Sequence, residues 1–252
     1  MNAMQKLFAA ILIMGLLGCA GTMPPVKPLS SEMPAIGIAI KIRAPVKIFS
    51  SKPNRVYFIK LDEADSAASA NYLVQSNQLI QSNYVNQNQM YLLNAKPGRY
   101  AVVAAFHSKS TPNIPGGGSP GKSGVSVSVG VNMPSETKYN TFFSKELIKL
   151  TEVTVKPGEM VFMGDYVIDQ STGFKEADDT QSYYLQLIAP GAKTGYMSMA
   201  FSGSNYYRGA LHEHKRDRQA EMQFLTNALE HLKGTEWVKM IDKEMDELRA
   251  EK

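Results

Sequence analysis

The stretch Tyr91-Leu92-Leu93-Asn94-Ala95-Lys96-Pro97-Gly98-Arg99-Tyr100-Ala101-Val102-Val103-Ala104-Ala105-Phe106 decides the reading of the fold. Two apolar runs flank Lys96-Pro97-Gly98. Proline presets φ and glycine supplies a positive φ, so Pro-Gly suits the centre of a type II turn. A β-branched and aromatic run after such a turn reads as a strand. The device recurs: Lys156-Pro157-Gly158-Glu159-Met160 also leads an apolar run. Two unrelated hairpin turns of common composition would look the same, and either origin favours antiparallel β-structure.

Strand signals extend in both directions. Ile36-Gly37-Ile38-Ala39-Ile40-Lys41-Ile42 alternates large and small side chains. Val56-Tyr57-Phe58-Ile59-Lys60-Leu61 is β-branched and aromatic. Residues 124–131 alternate valine with serine or glycine, the period of a half-buried strand. Further strand-like runs cover 142–150, 151–155, 159–168, 183–188 and 196–201. Many short strands separated by Gly, Pro and Asn predict a mainly β fold, an antiparallel sandwich. Leu93, Pro97 and Tyr100 resemble the tyrosine corner of immunoglobulin-like sandwiches, in which the hydroxyl bonds back to nearby backbone. The expected class is therefore an immunoglobulin- or transthyretin-like sandwich over 35–201, as one unit or two sub-domains.

After Phe201 the pattern changes. Ala220, Phe224, Leu225, Ala228, Leu229 and Leu232 form one helical stripe. Gly234 reads as its stop, and Thr235 as the N-cap of a second helix with Glu236 in its first turn. Trp237, Ile241, Met245 and Leu248 continue an apolar face. Residues 202–252 are thus expected to be a helical extension with two short helices.

The N-terminus supplies an address. Lys6 precedes an apolar run from Leu7 to Leu17, then Gly18 and Cys19. A charge, a short apolar run and a small-residue site define a secretory signal peptide over 1–18. The run is shorter than the roughly 20 residues that cross a bilayer. Leu16-Leu17-Gly18-Cys19 resembles the lipobox of bacterial lipoproteins, in which the cysteine is diacylated and becomes the first residue. The resemblance implies lipidation of Cys19. Ala20, where that family often places Asp for inner-membrane retention, implies the outer membrane, facing the periplasm. Cys19 is the only cysteine, so an acylated chain has no thiol for a disulfide, zinc or catalysis. Residues 19–34, with four prolines, read as an extended tether.

Charge excludes little else. Net charge is +4, and removal of Lys6 leaves about +3, too weak to argue for nucleic acid. Cleavage leaves 234 residues, enough for one large or two small domains.

Catalytic patterns fail on their context. Gly116, Gly121, Lys122 and Ser123 satisfy a Walker A pattern, but valine alternation follows it where a phosphate loop needs a helix. Gly117-Gly118-Ser119-Pro120-Gly121 matches a nucleophile elbow, yet Pro120 lacks the N–H that an oxyanion hole needs at that position. A solvent-exposed glycine loop explains both matches. His107 and His231 stand alone. His212 and His214 could share a strand face, but 209–218 reads as the lead-in to a helix, where i and i+2 diverge. Lys215, Arg216 and Arg218 oppose a cation there, although they could meet anionic lipid headgroups. Asp62, Glu63, Asp65, Asp178 and Asp179 read as loop solvation. Tyr183-Tyr184 and Tyr206-Tyr207 each place one ring on either side of a strand, with packing the default role.

The segment 91–100 and the later 155–165 also resemble small bacterial envelope lipoproteins of unknown function, which carry a β-rich domain with a Pro-Gly-x-Tyr turn. That resemblance implies a fold and an address and supplies no catalytic residues. The reading is a lipid-anchored, non-enzymatic binding or scaffolding module of the cell envelope, without cofactor or metal, whose partners are the membrane and envelope proteins. The alternatives are a hydrolase of peptidoglycan, glycan or lipid, and a carrier of a lipophilic ligand. A cleft with two facing carboxylates, one raised by burial, would favour the hydrolase. A large dry cavity would favour the carrier.

Overall fold

The computed structural model describes residues 24–44, 50–61, 80–111, 135–171 and 204–250. The alternating runs form strands. These are β1 (Ala35–Arg43), β2 (Ser50–Ser51), β3 (Arg55–Leu61), β4 (Ile80–Gln81), β5 (Tyr84–Asn86), β6 (Gln89–Leu93) and β7 (Gly98–Thr111). There follow β8 (Ser135–Phe143), helix α1 (Lys145–Leu150), β9 (Val153–Val155), β10 (Met160–Gln170) and β11 (Ser204–Lys215). The chain ends in α2 (Arg218–His231) and α3 (Trp237–Ala250).

The protein is mainly β, but its sheet is mixed where an antiparallel sandwich was expected. The described strands join in one curved sheet, a half-barrel, in the order β4-β3-β7-β8-β11-β10-β1-β6-β5. β1 runs parallel to β10, and β11 runs parallel to β8. Period-two alternation reports which face a side chain takes; it is silent about which strand lies alongside and in which direction. Parallel neighbours need long connections, and 116 residues separate the end of β1 from the start of β10.

One face of the sheet curls onto itself. Ile36, Ile38, Ile40 and Ile42 of β1 join Val56 and Phe58 of β3, Val102 of β7 and Tyr166 and Ile168 of β10 in one buried cluster. The opposite face of β1, β6 and β10 is covered by the two C-terminal helices. Ala35, Ala39, Tyr91, Leu93, Met160 and Phe162 meet Phe224, Leu225, Ala228, Leu232, Trp237, Ile241 and Met245. The expected helix stripes are the buried ones. Gly37 makes the closest approach possible: a β-carbon there would lie 2.2 Å from Phe224 Cζ.

Of the two Pro-Gly pairs, Pro157-Gly158 forms a turn with Gly158 at φ near 71°, whereas Gly98 opens β7 at φ near 145°, outside the type II range. Neither pair makes the expected hairpin: β6 does not pair with β7, nor β9 with β10. The Tyr100 hydroxyl donates to the Lys96 carbonyl at 2.7 Å, the bond expected of a tyrosine corner.

Three local expectations fail. Residues 142–150 are not one strand, because Ser144 caps α1, its Oγ accepting from Leu147 N at 3.3 Å. The apolar Leu147, Ile148 and Leu150 imitate a strand in composition. Residues 202–252 are helical only from Arg218; before it, β11 is a strand paired on both sides. Its ladder bonds to β8 and β10 override a polar sequence with little strand pattern. Thr235 does not cap α3: its hydroxyl donates backward to the Leu232 carbonyl at 2.6 Å. Gly234, with φ near 79°, does end the helical path before it. The strands expected at 124–131, 183–188 and 196–201 lie outside the described residues. No described helix is long and apolar enough to cross a membrane.

Candidate functional site

A polar cleft of about 390 Å³ opens where the N-terminus of α2 crosses β1 and β10. A bulge builds it. Gly37 pairs with Phe162, but Ala39 pairs with Asp165, so β10 carries one extra residue. Gly164 sits in the bulge at φ near 125°, a conformation that side chains resist. The added residue re-aims Asp165 into the cleft.

Asp165 is the unsettled group of the site. Its Oδ1 is buried without a hydrogen-bond partner. Burial holds its carboxyl above the usual range, against the lowering pull of Lys41 and Lys215 and with Glu213 adding to the rise. Lys215 is its register partner on β11, but the Lys215 ammonium pairs with Glu213 at 3.0 Å.

Five carboxamides contribute to the remaining walls. Asn88, Gln89, Gln219, Gln223 and Asn227 line the cleft with Asp217. Several are committed within the protein. Gln89 is buried, donates to the Phe224 carbonyl at 3.4 Å and accepts from the Tyr91 hydroxyl at 2.6 Å. Gln223 donates to Asn227 at 3.1 Å. Asp217 caps α2, its Oδ1 accepting from Ala220 N at 2.8 Å. The buried rings of Phe162 and Phe224 lie tilted against each other beneath, with centroids 4.7 Å apart. A carboxamide both donates and accepts, so the surface suits neutral polar groups such as hydroxyls and amides.

The histidines go elsewhere. β11 is a strand rather than a helix lead-in, but its own bulge places His212 opposite no β10 residue. His212 Nδ1 lies 3.3 Å from Asp169, which also pairs with Arg43 at 3.1 Å. His214 instead stacks on Tyr166 at 4.8 Å. Tyr166 and Asp169 are three residues apart on a regular part of β10, so the two imidazoles serve opposite faces. Burial lowers His214, with Arg216 adding to the effect, and its Nε2 is buried and unpaired. Burial pushes the Tyr166 phenol up to about 12; its oxygen lies 2.9 Å from the Leu150 and Met163 carbonyls.

His107 stacks on Tyr139 at 4.7 Å, and burial holds it neutral, down to about 4. Tyr207 is half-buried, 6.0 Å from Tyr139. His231 enters only through its carbonyl, which accepts from Tyr84 at 3.2 Å. Among the described residues no three His, Cys, Asp or Glu side chains converge on a metal position. Two of the three basic residues are internally engaged: Arg216 donates to the Glu152 carbonyl at 3.2 Å and Lys215 holds Glu213, while Arg218 is exposed.

Cys19, Asp62, Glu63, Asp65, residues 116–123 with Ser119, Asp178, Asp179, Tyr183 and Tyr184 lie outside the described residues, as does the Tyr206 side chain. Sequence reasoning missed Asp165, Gln219 and Gln223. One signal was present: a glycine inside a strand pattern, here Gly164, marks a bulge. No family model, curated protein or solved structure matches the chain.

Proposed function

We propose that the protein is a lipid-anchored, non-enzymatic binding module of the cell envelope, with the cleft above α2 as its ligand site. One observation carries the binding reading: a cleft of about 390 Å³ to which five carboxamides contribute beside Asp165, Asp217 and Lys215. That size is within the range of small-ligand sites, and amides orient neutral polar ligands without requiring charge. The anchor rests on Lys6, the apolar run and Leu16-Leu17-Gly18-Cys19. Photocrosslinking from position 223 in intact envelopes is expected to capture a discrete partner, and Gln219→Ala with Asn227→Ala to abolish the adduct. Recovery of no adduct, while purified protein cleaves an envelope polymer, would reject the module.

A second reading, an envelope hydrolase, is favoured by one feature. Asp165, raised by burial, shares the cleft with a second carboxylate, Asp217. A raised carboxyl can serve as general acid while another stays ionised. The Asp217 cap bond to Ala220 opposes such a role, since it fixes one oxygen in the helix. Release of soluble sugars from purified peptidoglycan, lost in Asp165→Asn, would establish this reading instead.

A further inference from the structure

The proline-rich segment before β1 was expected to be a free spacer. From Pro24 onward it is a strap fastened to the body. The Trp237 indole, fully buried, donates to the Val26 carbonyl at 2.7 Å. Asn94 grips the strap twice, donating to the Lys27 carbonyl and accepting from Leu29 N, each at 2.8 Å. Gly158 N donates to the Glu32 carbonyl at 2.9 Å, and Ala95 N to the Pro34 carbonyl at 3.0 Å.

This fastening shortens the tether. Seven residue steps run from Cys19 to Val26, the first bonded point among the described residues, and they reach at most about 25 Å. A body of 234 residues has a radius of gyration of about 17 Å. The strap end therefore stays near the lipid. Among the described residues the two most exposed large apolar side chains lie here, Leu29 at 76% and Val26 at 44%. Exposed lysines surround them. Lys27 lies on the strap, Lys96 follows the Asn94 grip, and Lys239 and Lys243 border the groove beside Pro28. Glu32 and Glu236 stand among these lysines and Glu247 lies 3.6 Å from the Lys243 ammonium, so charge is the smaller contribution and Leu29 the larger.

We infer that the strap face, centred on Leu29 and Val26, is a membrane-contact surface that seats on an anionic phospholipid bilayer. The inference rests on lipidation of Cys19. The anchor holds the face at the bilayer, so a contact too weak to bind alone is populated. Leu29 enters the headgroup–acyl boundary, and the lysines reach phosphates. The cleft borders the other end of α2, a helix of 14 residues and about 21 Å. Seating the strap holds the cleft away from the bilayer, open to the aqueous envelope.

The test uses the full lipidated protein in vesicles of phosphatidylethanolamine and phosphatidylglycerol. An environment-sensitive fluorophore is placed on Leu29→Cys or, separately, on Gln223→Cys; both positions are exposed. The label at 29 is expected to shift to the blue and to escape an aqueous quencher by at least threefold, while the label at 223 stays accessible. Vesicle-bound protein whose label at 29 is fully quenched would overturn the surface and leave the anchor standing. Protein that lacks the acyl mass on Cys19 and fails to sediment with vesicles would remove the anchor and the surface together. Shielding that grows with protein-to-lipid ratio would assign the face to a second copy and also overturn the proposal.

Discussion

The two ends of α2 are built on opposite terms. At its C-terminal end, Trp237, Asn94 and Gly158 each bond the strap, and buried rings fill the space between helices and sheet. At its N-terminal end, Asp165 keeps a buried oxygen unpartnered and carboxamides line open space. A buried polar group without a partner costs stability, and at the cleft end that cost falls on Asp165. The difference teaches where to look for each property: stability at the strap end, recognition at the cleft end.

Trp237→Ala strikes the strap end hardest. It removes a fully buried indole and the Val26 bond together. The expected loss is about 3–5 kcal/mol in chemical denaturation, with faster amide exchange over 24–34. An unchanged midpoint would dissolve the comparison.

Gly37→Ala tests the helix-to-sheet seam between the two ends. The new methyl meets the Phe224 ring, so overpacking of about 1–3 kcal/mol is expected. Adding Phe224→Leu should recover part of that loss, a non-additivity that measures the contact directly. Two independent, additive losses would show that the ring moves aside without resistance.

Asn94 separates strap from turn. It holds a left-handed φ near 60° besides gripping the strap. Asn94→Ala is expected to lose about 1–2 kcal/mol, from two bonds and a strained backbone. Asn94→Gly keeps the turn and releases only the strap, so it should lose less. The Leu29 amide should lose exchange protection in both variants; protection retained in either would mean that the strap is held without Asn94.

Asp165→Asn is the smallest effect and has the opposite sign. Its folded pKa is raised, so the native state holds the proton more tightly than the unfolded chain. The protonated acid favours the fold below the ordinary carboxylate pKa, and that contribution is lost as pH rises through the raised value. The asparagine variant should gain up to about 1 kcal/mol at neutral pH and flatten the stability profile across that window. Thermal unfolding between pH 3 and 7 checks both; a loss at neutral pH would mean that the charged carboxylate is held by partners.

Much of the fold was legible because local chemistry encodes it. Pro157-Gly158 announces a turn, Ile36 to Ile42 announces a strand with two faces, and the Phe224 and Trp237 stripes announce helices. The candidate site was not legible. Asp165 looks like any strand-edge carboxylate until Lys215, Asp217 and Gln219 arrive from a distant part of the chain. β11 was missed because its residues contribute little intrinsic strand preference; its neighbours on both sides supply the bonds.

By itself the sequence determined the periods, the turn at Pro157-Gly158, the helix faces and the lone cysteine behind an apolar run, all properties of residues a few positions apart. The tertiary structure alone decided that the sheet is mixed, that two helices close one face, that a bulge turns Asp165 into a cleft and that Trp237 fastens the proline strap. Partner choice, strand direction and desolvation depend on residues remote in sequence, and those meet only when the chain has folded.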